Sequence, residues 1–352
     1  MRDHGDHGRE RRAGIAMALG SALLFGASTP LAKLLVGGLS PWLLAGLLYL
    51  GSGLGLALVR RLRPAAEAPL ARGDYPWLAA AILCGGVVGP LLLMSGLEAG
   101  TASAASLLLN LEGVFTLAIA WVVFRENVDL RVGLGAAAIL LGAVLLSWEG
   151  GSLSLGGGSL LVAGACLAWA VDNNLTRRLS AADPVQIAML KGAVAGTVNI
   201  ALAVAAGAEL PDAGTMLAAG LVGFLGYGVS LVLFVLALRH LGTARTGAYF
   251  SLAPFVGALL AVAALGEPLS LRFVLAALLM AAGLALHLME RHEHPHEHEP
   301  MEHAHRHVHD AHHRHDHGPD DPPGEPHVHR HAHPRLVHRH PHYPDLHHRH
   351  EH

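Results

Sequence analysis

Charge is what most of this sequence lacks. Of its 352 residues, 14% are Asp, Glu, Lys or Arg, where soluble domains carry about 25%. The shortage is uneven, since residues 13–290 hold only 13 basic and 13 acidic side chains. A stretch that long with so few charges cannot form the solvated surface of a soluble domain. Cysteine is nearly missing as well. Cys84 and Cys166 each stand alone in an apolar run, which excludes a disulfide framework and a cysteine-based zinc site. A formal net charge of −3 gives no footprint for nucleic acid. Catalytic signatures are lacking too: there is no nucleophile–base arrangement, phosphate-binding glycine loop or His-Glu-x-x-His pattern. No catalytic residue is assigned, and an enzyme is not expected.

What is present is a series of apolar runs, each near the 20 or so residues needed to cross a bilayer. The charge-free runs are Ala13–Ala32, Leu34–Val59, Tyr75–Leu97, Val132–Trp148, Gly150–Val171, Ala213–Leu238, Thr246–Gly266 and Phe273–Met289. Two more hold a single charge each: Ala99–Phe124 contains Glu112, and Pro184–Ala208 contains Lys191. The runs show no polar face at helical period, as expected where lipid or other helices surround a segment. The fold class expected is all-α integral membrane, with ten transmembrane helices. Glycine pairs such as Gly192/Gly196 and Gly85/Gly89 suit close helix approach inside a membrane. Trp42, Trp77, Trp121 and Trp148 fall near run ends, as interfacial anchors do.

Short loops set the orientation. With the N-terminus inside, the inner segments hold Arg2, Arg9, Arg11, Arg12, Arg60, Arg61, Arg63, Arg72, Arg125, Arg131, Arg177, Arg178, Arg239 and Arg245, and the outer loops hold only Arg272. Positive residues concentrate on the cytoplasmic side, so both termini are expected in the cytoplasm.

The two halves resemble each other. Gly100-Thr101-Ala102 matches Gly242-Thr243-Ala244, and Glu126, Leu130-Arg131 and Gly142 match Glu267, Leu271-Arg272 and Gly283. Upstream, Phe25-Gly26 and Leu31-Ala32-Lys33 line up with Trp169-Ala170 and Leu175-Thr176-Arg177. Five spans per half force the second half upside down, and inverted repeats with a site near the midplane mark secondary transporters. The expected division is a cytoplasmic segment (1–12), a first repeat (13–149), a second repeat (150–290) and a disordered His-rich cytoplasmic tail (291–352).

Over about residues 13–290 the chain resembles the EamA-type family of bacterial drug/metabolite transporters. The residues that carry the likeness are Phe25-Gly26 with Pro30-Leu31-Ala32-Lys33, the turn Gly266-Glu267-Pro268-Leu269-Ser270, and its weaker copy Arg125-Glu126-Asn127-Val128-Asp129. The resemblance implies a ten-helix carrier that mostly exports small organic metabolites or drugs. It leaves the cargo open. One departure stands out: the family tends to place a proline mid-way along the fourth span, as Pro254 does in the second half. Here that region reads Leu109-Asn110-Leu111-Glu112-Gly113.

Charges within a bilayer cost at least about 2.5–3.5 kcal/mol each on insertion scales, so every one needs a reason. Glu112 sits deepest in its run. It is the candidate proton-coupling or cation-binding carboxylate, with a structural hydrogen bond as the alternative. Asp172, Asn173 and Asn174 form a second polar group near the inner end of span six. Asp172 lies eleven residues before Asp183 and Lys191 eight after it, so adjacent antiparallel helices would bring the two to similar depths as an ion pair. Asn110 and Asn199 are candidates for polar contacts to cargo or between helices. Glu126 and Glu267 are expected to cap or pair at their turns, and Lys33 to snorkel outward. None of the buried polar groups is duplicated: Ser28 stands opposite Asp172 in the repeat, about Leu48 opposite Lys191, and Ala253 or Pro254 opposite Glu112.

The tail is another material. Residues 291–352 carry 7 basic residues, 11 acidic residues and 23 of the 27 histidines. The histidines alternate with other residues through His292, His294, His296 and His298, then His303, His305, His307 and His309, then His327, His329, His331 and His333. Neutral imidazole suits zinc, nickel, cobalt and copper, so these residues are the candidate metal ligands. The membrane part needs no cofactor. The expected function is a secondary active transporter that exports a small organic metabolite or drug by alternating access, coupled to protons through Glu112, with a metal-binding regulatory or buffering tail. The alternatives are a zinc, nickel or cobalt carrier and a metal-responsive membrane sensor. Expected partners are a small-molecule substrate, the lipid bilayer, metal ions on the tail and a second copy of the chain.

Overall fold

The chain is described from a computed structural model, covering residues 3–62, 70–124, 130–148, 156–176, 179, 182–241, 243–288, 293–298, 301–307, 327–333 and 336–341. In order, the helices are α1 (Asp3–Val36), α2 (Pro41–Leu62), α3 (Tyr75–Ala81), α4 (Gly89–Ala99), α5 (Ala102–Leu108), α6 (Leu111–Phe124), α7 (Leu130–Ser147), α8 (Gly157–Thr176), α9 (Pro184–Ala205), α10 (Ala213–Gly223), α11 (Ser230–Leu241), α12 (Thr243–Phe250), α13 (Ala253–Leu265) and α14 (Leu271–Leu288). Each of the ten apolar runs carries helix. Among the described residues, seven stretches are long and apolar enough to cross a membrane: Arg12–Val36, Pro41–Leu62, Arg72–Ala99, Ala102–Val123, Leu130–Ser147, Val185–Ala205 and Ala213–Ala237. Ala253–Leu265 and Leu271–Leu286 are apolar but shorter. The protein is a multi-pass membrane protein. Its perimeter fits that reading: Leu130, Leu217 and Leu271 are each 74% exposed, and lipid is the medium that covers such side chains at no cost.

Starts and stops follow side-chain chemistry. Pro184 opens α9 directly behind Asp183, whose carboxylate accepts the Val185 N–H at 2.9 Å. Asp212 caps α10, accepting from the Thr215 hydroxyl at 2.6 Å and from the Gly214 and Thr215 N–H groups at 2.8 and 3.1 Å. The Thr215 bonds, with that from Gly214, hold the Asp212 carboxyl below the usual carboxylate range. The capped form is therefore complete above that range and is lost as acid protonates it. α13 ends at Gly266 in the left-handed region, φ 67°.

Packing crosses between the halves. α2 lies along α9, and α7 along α14. The first helix of each half sits on the third and fourth of the other: α1 contacts α10, α11 and α13, while α8 contacts α3, α4 and α6. The α2–α9 approach depends on glycine. A Cβ added to Gly192 would fall 2.6 Å from the Gly53 nitrogen and 2.8 Å from the Tyr49 carbonyl, closer than backbone tolerates.

The irregularities of the two halves also match. A wide π turn occupies Ile82–Val88 between α3 and α4, and another occupies Phe224–Val229 between α10 and α11, starting 142 residues later. A break at Leu109-Asn110 separates α5 from α6, and one at Ser251-Leu252 separates α12 from α13, again 142 residues on. The first break forms without the proline that the family likeness called for. In its place the Asn110 amide donates to the Leu107 carbonyl at 2.8 Å, and such a local bond competes with the helix ladder.

At one end Lys33 donates to the Leu97 carbonyl and, at 2.6 Å, to that of Gly100. The last carbonyls of α4 have no partner in their own helix, and the ammonium supplies one. Glu267 reaches across to the other half, its two oxygens accepting the Ala102 and Ser103 N–H groups at 2.8 Å each, so it caps α5. Glu126 lies outside the described residues. Arg272 donates to the Trp148 carbonyl at 2.6 Å. Glu267→Ala should cost about 1 kcal/mol as a lost cap and Glu267→Gln less, read as the unfolding midpoint in detergent; equal stability of all three proteins would discount the cap. At the other end Arg60 pairs with the fully buried Asp183 at 2.8 Å.

Within the tail, the described stretches are extended and paired. β1 (Glu293–His298) runs antiparallel to β4 (Leu336–Pro341), and β2 (Met301–His307) to β3 (His327–His333). The alternation of His with other residues has the period of a strand, which accounts for the extended form.

Candidate functional site

The polar groups expected inside the membrane gather where α6, α8 and α9 meet the π turn that follows α3. Asp172, four residues from the end of α8, is buried. Its two oxygens accept from Lys191 Nζ on α9 at 2.6 and 2.7 Å. Oδ1 also accepts the Thr176 hydroxyl at 2.9 Å, one helical turn on. The ion pair inferred from residue spacing is thus present, with all its members on hydrogen bonds. That is the condition under which two charges can be removed from water.

Glu112 opens α6 just past the break and is half-buried. Its Oε1 accepts the Asn173 amide at 2.8 Å. Asn173 is the neighbour of Asp172 on α8, so the two carboxylates stand on adjacent ties of one helix: Asp172 bonds a cation, Glu112 a neutral amide. Asn174 turns back on its own helix and donates to the Ala170 carbonyl at 2.8 Å.

The π turn supplies the floor. Widening a helix by one residue frees carbonyls from the regular ladder, and here two of them find side chains. The Gly85 carbonyl accepts the Tyr49 hydroxyl at 2.7 Å and the Trp169 indole N–H at 2.9 Å. The Gly86 carbonyl accepts the Asn199 amide at 2.9 Å. Asn199 is 1% exposed, so its amide is committed to this turn. Gly85 itself lies against the Asp172 carboxylate with no room for a side chain.

From this centre a row of rings leads into the other half. Tyr49 packs on Tyr227 of the second π turn with ring centroids 5.6 Å apart. Tyr227 meets Phe25 edge-on at 5.8 Å, Phe25 meets Phe250 at 5.3 Å, and Phe250 meets Phe234 at 4.9 Å. The site therefore joins a charged, carbonyl-lined part to an aromatic part.

Three comparisons bear on what such an arrangement serves. The model of the EamA-like transporter family matches residues 12–148 and again residues 156–289. The chain belongs to that family. A curated relative from Methanothermobacter thermautotrophicus, an uncharacterized transporter, is 30% identical over 283 residues, covering 75% of this chain and 82% of its own. A protein of known crystal structure shares the fold, with TM-score 0.58 at 19% identity over 78% of this chain and 96% of that one.

As an EamA-like transporter the protein works on a small-molecule substrate in a lipid bilayer, and both the family and the relative point away from an enzyme. Within it the structure brings together Glu112, Asn173, Asp172 and Lys191, with Asn199 beneath them. Asn110 holds the helix break through its bond to Leu107, and Asn174 bonds its own helix. Sequence reasoning missed Tyr49, Trp169, Thr176 and Tyr227. For Trp169 a signal existed, since it occupies the repeat position of Phe25. Of the tail histidines named from sequence, His292 and His309 lie outside the described residues, and the strands add His338 and His340.

Proposed function

We propose that this EamA-like chain is a secondary transporter of the bacterial inner membrane that exports a small organic solute in exchange for protons. It would cross the membrane ten times, as two inverted five-helix repeats (13–149 and 150–290), with both termini in the cytoplasm. The matched π turns and helix breaks support two copies of one unit, and the crosswise packing of each first helix supports a site shared between them. The arginine distribution supports the orientation.

One observation carries the coupling: of the two neighbouring carboxylates, Asp172 is tied to Lys191, while among the described residues the Glu112 carboxylate accepts from a neutral amide. Protonating Asp172 would leave Lys191 without its counter-charge, whereas protonating Glu112 strands no cation, so Glu112 is the exchanging group. The aromatic row from Tyr49 to Phe234 favours an organic cargo with an apolar part, as rings bind such surfaces well. The histidines of the tail favour a metal-binding accessory beside that path; the metal-carrier reading rests on them alone.

The test is flux in proteoliposomes under an imposed pH gradient, screened over amino acids, nucleobases and drugs, with zinc and nickel as separate cargoes. Glu112→Gln is expected to abolish gradient-driven accumulation while leaving downhill exchange of the same solute. Equal response to the gradient in both proteins would remove Glu112 from coupling. Zinc or nickel flux that persists without the tail and stops in Glu112→Gln would replace the organic cargo by metal.

A further inference from the structure

We infer that the two strand ladders of the tail are transition-metal sites, binding zinc, nickel, cobalt or copper between histidines that the pairing register places on one face. The inference deepens the metal-binding reading of the tail and rests on it. In the β2–β3 ladder His303 stands opposite His331, His305 opposite His329, and His307 opposite His327. Opposed residues share a face and successive residues alternate. All three histidine rungs therefore lie on one face, and the intervening Glu302, Arg306 and Arg330 take the other. The β1–β4 ladder repeats the arrangement with His294 opposite His340 and His296 opposite His338.

Both ladders keep one register. Counting forward from Glu293 and back from Pro341, the residue numbers of every pair in both ladders have the same sum, so the two share one register. A slip of one residue would set every histidine of one strand on the opposite face. The matching of rungs is thus a property of the pairing and not of histidine content alone.

The spacing suits a metal. Directly opposed Cβ atoms in a ladder are about 4.5–5.5 Å apart, and successive rungs on one face are about 7 Å apart. Zinc in a tetrahedral site takes four ligands at nitrogen distances of about 2.0–2.1 Å, and two adjacent rungs supply four histidines. All-imidazole ligation selects zinc, nickel, copper and cobalt over calcium or magnesium. An isolated two-stranded ribbon is marginal in water, so ion binding and strand pairing support one another.

Full-length protein in nanodiscs decides the matter, with zinc alone and nickel alone as probes. Metal binding is read by equilibrium dialysis, and tail ordering by hydrogen exchange. Three proteins are compared: native, the fourfold variant His303→Gln/His305→Gln/His329→Gln/His331→Gln, and a variant with one glycine inserted after Ala304 that keeps every histidine. The native protein is expected to bind metal and to gain exchange protection over 301–307 and 327–333 only when metal is added. The fourfold variant and the insertion should each lose that protection and bind at least tenfold more weakly at these sites. An insertion variant that binds like native, beside a weakened fourfold variant, overturns the ladder and leaves the tail as an open-chain chelator. Native protein that binds neither metal overturns the metal reading itself, and a fourfold variant that binds like native overturns the β2–β3 ladder as the site.

Discussion

Lys191→Met is expected to lower stability by about 3–5 kcal/mol, the cost of leaving a buried charge without its partner. Asp172 keeps only the Thr176 hydroxyl in that variant, and its 5% exposure gives water little access. Asp172→Asn strands the ammonium in the same way. The double variant Asp172→Asn/Lys191→Met should recover most of the loss, because removing both charges removes the need for either. Unfolding midpoints of the three variants in nanodiscs, with ligand-free native protein as reference, measure this directly. Single variants as stable as native would show that the pair contributes nothing to the fold. A double variant that is stable yet inactive would place the pair in transport itself.

Gly85→Ala is expected to abolish transport. The added methyl would overlap the Asp172 carboxylate, so either the ion pair or the π turn has to shift. Overpacking costs about 1–3 kcal/mol by itself, and here it acts on the carbonyl that Tyr49 and Trp169 share. Gly113→Ala and Gly133→Ala are the controls, since a Cβ at either position meets nothing within 4 Å. Flux per folded molecule, with folded protein counted by size-exclusion chromatography, separates a damaged site from a damaged fold. Native flux in Gly85→Ala would mean that the turn accommodates a side chain freely.

The Asp172–Lys191 pair was legible because charges are so scarce between residues 13 and 290 that any two at equal depth are natural partners. Glu112 stood out for the same reason. The π turns left almost no mark: Ile82–Val88 has the composition of any apolar helix, and only Gly85-Gly86 hints at a wide turn. Tyr49 and Tyr227 read as ordinary core residues, since an aromatic ring within an apolar run has no pattern that tells lipid, helix or carbonyl apart. The partners of Lys33 were not legible because the carbonyls it satisfies lie more than sixty residues along the chain, where no local rule reaches. In the tail the alternation of histidine was visible, but the pairing was not, because register is a property of two segments together.

The pinning of the first π turn has a mechanical consequence. Tyr49 comes from α2, Trp169 from α8 and Asn199 from α9, and all three grip two consecutive carbonyls. None of these helices can swing alone without tearing a bond from the same short stretch. In an alternating-access cycle these helices are expected to move together with α3 and α4, as one lever that bends at the wide turn.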